Sequence, residues 1–97
     1  MKKQQKFVIV RSREAGVHAG TLVSNHGRTV VLKDSIRIWY WSGAATLSEL
    51  AVYGPKNASA CKFGVPVRET TLLEACEIIA CEPAGAKAIQ EVPSWRA

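Results

Sequence analysis

The sequence predicts an α+β fold: a small twisted antiparallel sheet, or partly open barrel, of about five strands with one or two short helices. Three observations carry this. The first 41 residues alternate between β-branched or aromatic runs and glycine-containing breaks. The residues after 41 hold two helix-start signals, Thr46-x-x-Glu49 and Glu82-Pro83. The chain has 97 residues, 47% of them hydrophobic, which suits one packed core and one domain over residues 1–97.

Residues 1–5 form a basic tail ahead of KFVIVRS (6–12), a strand by its β-branched and aromatic content. Gly16 and Gly20 in the next segment permit a bend, a bulge or a close backbone approach by a ligand, and residues 17–24 form a second strand. Asn25-His26-Gly27 is a turn, and RTVVLK (28–33) returns as a third strand. Asp34-Ser35 reads as another short turn, followed by a fourth strand, IRIWYW (36–41).

Ser42-Gly43-Ala44-Ala45 breaks the strand pattern. Thr46 then caps a helix from Leu47 to Tyr53 that turns Leu47, Leu50 and Ala51 to the core, and Gly54-Pro55 ends it. After a polar loop, residues 63–68 read as a short edge segment, because Pro66 cannot donate to a ladder. Residues 70–81 fit two templates: Thr71-x-x-Glu74 favours a helix, while the β-rich context favours a strand through 72–80, which is the expectation adopted here. Pro83 opens a helix reaching Gln90, and residues 92–97 form an extended tail with Trp95 as an aromatic anchor.

Charge is unevenly spread. The net charge is +5, and residues 1–41 hold eight basic side chains against two acidic ones. Residues 69–91 reverse the balance, with five acids against Lys87. The N-terminal half is therefore either a solvated basic surface or the footprint of a phosphate-bearing ligand. Cys61, Cys76 and Cys81 are odd in number and form no C-x-x-C pair. Cys76 and Cys81, in an apolar run, read as buried small hydrophobes, and reduced thiols point to the cytoplasm. With His18 and His26 the only histidines, no zinc site and no cofactor site are expected. No apolar run approaches the ~18 residues needed to span a membrane, and the N-terminus lacks the features of a signal peptide.

The most informative segment is Arg37-Ile38-Trp39-Tyr40-Trp41-Ser42. Alternation on a strand places Arg37, Trp39 and Trp41 on one face, and Ile36, Ile38 and Tyr40 on the core face. A guanidinium beside two indoles can stack a nucleobase and neutralise a phosphate. The same indoles can instead anchor a subunit interface or lie in the core. Ser42 follows directly and is counted with this face. Arg11 and Arg13 alternate onto one side near Gly16 and Gly20, either as a phosphate clamp or as a solvated strand end. Lys62 adds a cation beside Phe63. No P-loop, dinucleotide fingerprint, H-E-x-x-H or nucleophile–base arrangement is present, so the chain reads as a binder and not as an enzyme.

Val8-Ile9-Val10-Arg11-Ser12, Ala15-Gly16-Val17 and Trp39-Tyr40-Trp41-Ser42-Gly43-Ala44, followed by Leu47 and Leu50, resemble a family of small accessory proteins encoded by tailed phages and prophages. The likeness extends from Phe7 to Trp95. It implies a product made in the host cell cytoplasm, where small phage proteins often antagonise host defence. One such class consists of oligomeric sponges that sequester cyclic ADP-ribose isomers or cyclic dinucleotides. The expected function is capture of a small phosphorylated nucleotide by a homo-oligomer, without catalysis. The alternatives are a nucleic-acid-binding module and an inhibitor that plugs a host enzyme.

Overall fold

The six strands in the computed structural model, which describes residues 6–97, are built around one long hairpin. Strand β1 (Phe7–Ser12) pairs antiparallel with β2 (Gly16–His26), which turns at Gly27 into β3 (Thr29–Tyr40). The first half of β3 pairs with β5 (Val67–Leu72) and its end pairs with the two-residue β4 (Lys62–Phe63). Strand β6 (Ala75–Ala80) closes the other side against β1. Helices α1 (Leu47–Tyr53) and α2 (Pro83–Gln90) complete the α+β fold. The basic tail expected over residues 1–5 lies outside the described residues.

Only Leu73 and Glu74 separate β5 from β6, yet these strands lie on opposite edges of the sheet. The chain bends at Glu74 (φ 58°), leaves β3 and joins β1. The corner is pinned by Ser12 Oγ donating to the Leu73 carbonyl (2.8 Å) and by the Ala75 amide donating to Arg28 (2.9 Å). The sheet thus curls into an incompletely closed barrel whose two edges are linked by the chain. The expected strand over 72–80 is corrected accordingly: the segment is extended, but it turns a corner at 73–74 and belongs to two strands.

The curl needs bulges, because an extra residue bends a strand. One sits at Asp34 (φ 51°), where β2 advances from Ala19 to Thr21 while β3 runs back from Ile36 to Lys33. The turn expected at Asp34-Ser35 is therefore a bulge, and the expected third and fourth strands are one. Both a turn and a bulge ask for a residue that tolerates a left-handed backbone, so the local signal is the same. The bulge also transfers the apolar set between faces. Val30 and Leu32 pack with Val8, Val10 and Leu72 inside the curl, whereas Ile36 and Ile38 pack with Ile9, Phe63, Leu50 and Ile89 beneath the helices. Because both faces are covered, Val8, Ile9 and Val10 are all buried, without alternation.

Thr46 Oγ accepts from the Glu49 amide (3.1 Å), as the capping box predicts, while the Glu49 carboxylate accepts from Ala45 rather than from Thr46 (2.8 Å). Pro66 lies between β4 and β5, so the edge segment expected over 63–68 is divided in two. Cys61 is buried, but Cys76 is exposed on the outer strand β6, which corrects its reading as core. Cys81 is half-buried, and burial pushes its thiol up to about 11, away from reactivity. No helix among the described residues is long and apolar enough to cross a membrane.

Candidate functional site

The end of β3 is where the sequence expectation is both met and altered. Arg37 and Trp39 share a face, and the guanidinium carbon stands 5.0 Å from the indole centroid. Trp39 is 59% exposed, so its ring is reachable. Arg37 lies flat across Gly16, whose φ of +85° suits glycine and whose missing side chain leaves room: a Cβ there would stand 2.8 Å from the guanidinium. The close approach anticipated at Gly16 is thus made by Arg37. Arg37 Nε is buried and has no hydrogen-bond partner. Leaving a buried donor unpaired costs about 1–3 kcal/mol, more for a charged group, so this position is held at a cost to the fold.

Trp41 does not join this face. Between Ile38↔Phe63 and Tyr40↔Lys62, β3 advances two residues while β4 advances one. This slip turns the alternation by one step. Tyr40, expected in the core with Ile36 and Ile38, is 51% exposed and stands directly opposite Lys62. Trp41 instead packs on the helix-side core and donates its indole N–H to the Ala44 carbonyl (3.1 Å). Ser42 is engaged in holding the following loop: its amide donates to Cys61 Sγ (3.4 Å) and its hydroxyl accepts from Asn57 (3.2 Å).

Nor does the structure gather Arg11 and Arg13 into a clamp beside Arg37. Arg11 lies across from Val17, which pairs with Ile38, so it stands on the opposite face of the sheet from Arg37. It is bound to Glu77 at 3.0 Å. Arg13 lies beyond β1 in the turn, where its amide donates to the Glu74 carbonyl. Lys62, in contrast, is on the Arg37 face, since Phe63 next to it points into the core with Ile38. Its aromatic neighbour is Trp95, 5.3 Å from Nζ to the ring centroid, and not Phe63. Trp95 arrives because Ser94 bridges in parallel to Phe63 and the Trp95 amide donates to the Phe63 carbonyl (2.7 Å).

One face thus carries Arg37, Trp39, Tyr40, Lys62 and Trp95. Tyr40 was hidden from sequence reasoning because a one-residue slip leaves no local mark. Trp95 was hidden because its partner is remote in the chain.

His18 sits beside Arg37 in the ladder, is buried, and donates from Nε2 to the Ala15 carbonyl (3.0 Å). Burial holds it below its ordinary value of 6.5, against the opposing pull of the Ala15 carbonyl, with a smaller push from the Arg37 guanidinium. A folded value below the unfolded one means that the unfolded chain binds the extra proton first. His18 therefore has no effect on stability above pH 6.5 and weakens the fold as pH falls below it. Thermal melts from pH 7.5 to 5 will show a falling midpoint, and His18→Gln will flatten that slope; an unchanged slope contradicts the assignment.

Among the described residues, no three His, Cys, Asp or Glu side chains cluster as a metal site. The chain matches the family model described as a domain of unknown function, DUF6948, over residues 5–89, and it belongs to that family. No curated protein and no solved structure matches it.

Proposed function

We propose that this member of the DUF6948 family is a non-enzymatic binding module whose Arg37–Trp39 face captures a small phosphorylated nucleotide. The observation that carries the reading is the Arg37 guanidinium held 5.0 Å from the centroid of an exposed indole. The guanidinium supplies a fork of donors for phosphate oxygens, and the indole supplies a stacking surface for the base. Gly16, lacking a side chain, lets the guanidinium lie against the backbone and holds it beside the indole. Binding requires no acid, base or nucleophile, and the reading assigns none.

The resemblance to phage accessory proteins supports a role in the host cytoplasm, where a homo-oligomer would hold a nucleotide immune signal, of cyclic ADP-ribose or cyclic dinucleotide type, away from its receptor. A nucleic-acid module is the second reading, favoured by the row of exposed rings at Trp39, Tyr40 and Trp95.

Calorimetric titration separates the two. Nucleotide capture predicts saturable binding of adenosine monophosphate and of cyclic dinucleotides, with affinity that stops rising once the face is filled. A polymer module predicts affinity that climbs with oligothymidylate length and falls steeply with salt. Absence of any heat with every mono- and dinucleotide tested removes the proposal.

A further inference from the structure

We infer that the face has two ring-binding subsites and that its ligand is a dinucleotide, two bases joined through phosphate, rather than a mononucleotide; the inference rests on the nucleotide reading of Arg37 and Trp39. The second subsite is Lys62 with Trp95 and Tyr40. It repeats the chemistry of the first: a cation within 5.3 Å of an indole centroid, against 5.0 Å at Arg37 and Trp39. Trp95 is 49% exposed and Tyr40 51%, so ring surface is available at both subsites.

Geometry orders the two. Trp39 lies on β3, Lys62 on the neighbouring β4, and Trp95 on the segment bridged to Phe63. Adjacent strands are about 4.8 Å apart, so the backbones carrying the two indoles are about 10 Å apart. That separation is within the span of a phosphodiester joining two unstacked nucleosides. The cations lie at Arg37, along β3, and at Lys62, between the two indole-bearing segments, where linking phosphates would pass. Each indole has a cation of its own, so each subsite can take one base with a neighbouring phosphate.

The test compares adenosine monophosphate with the linear dinucleotide pApA on wild-type protein and on Trp95→Ala. Stacking one further base predicts that pApA binds wild type about fivefold or more tightly than the mononucleotide. Trp95→Ala should erase that gain and retain mononucleotide binding at the Arg37–Trp39 subsite. Lys62→Gln should reduce the gain and the salt dependence of pApA binding. Equal affinity of the two ligands for wild type, or a gain that survives Trp95→Ala, overturns the inference while leaving the Arg37–Trp39 site standing. If neither ligand binds wild type, both fall.

Discussion

Trp39→Ala will weaken nucleotide binding roughly 5- to 150-fold, the range set by about 1–3 kcal/mol of base stacking, while leaving the fold intact. Trp39 is 59% exposed, so its removal opens no cavity. What the fold loses is the contact with Arg37, about 0.5–1 kcal/mol for a cation over an exposed ring. Trp41→Ala, two residues on, should do the reverse. Its indole is half-buried against the helix-side core and bonds to Ala44, so truncation should cost up to about 3 kcal/mol of stability, the lower end for aromatic truncation. It removes no group from the binding face. Nucleotide titrations and thermal melts on both variants therefore give opposite patterns. Equal effects of the two on binding would show that the register slip at Tyr40 does not divide the rings as described.

Gly85→Ala will destabilise the protein sharply, although in an isolated helix the same change helps by up to ~1 kcal/mol. The reason begins at Pro55. The Ala51 carbonyl in α1 would ordinarily accept from the amide four residues on, but that residue is proline and has no N–H. The Glu82 amide, at the start of α2, takes its place (3.0 Å). This bond draws the helices so close that a Cβ on Gly85 would collide with the same carbonyl. An added methyl must push α2 away, break the Glu82–Ala51 bond and loosen Ile89 in the core. Overpacking against backbone costs about 1–3 kcal/mol or more. In a domain of this size each kcal/mol lowers the melting midpoint by about 4–8 °C. A melting midpoint at or above wild type would contradict the close-packed helix pair.

Elements fixed by neighbouring residues were legible in the sequence. Thr46, Glu49 and Gly54 set both ends of α1, and Pro83 sets the start of α2, because capping is local chemistry. The strand character of the first 41 residues was equally readable. What escaped was whatever depends on counting across strands. Asp34 carries one signal for turn or bulge, and only the pairing partners on β2 decide between them. The slip at Tyr40 is set by β4, more than twenty residues later, and it exchanges the places of Tyr40 and Trp41. The site was half visible for the same reason. Arg37 and Trp39 precede the slip and keep the predicted alternation. Trp95 joins through a bridge to Phe63 that no spacing announces.

Ligand capture on this face requires that the Trp39 indole, and not that of Trp41, be the one a ligand reaches. Nuclear magnetic resonance of indole N–H signals, assigned by single Trp substitutions and followed while adenosine monophosphate is added, tests this directly. The account predicts that the Trp39 signal moves and saturates while the Trp41 signal, bonded to Ala44, stays in place. Movement of Trp41 alone, or no movement of any indole at saturating nucleotide, would contradict it.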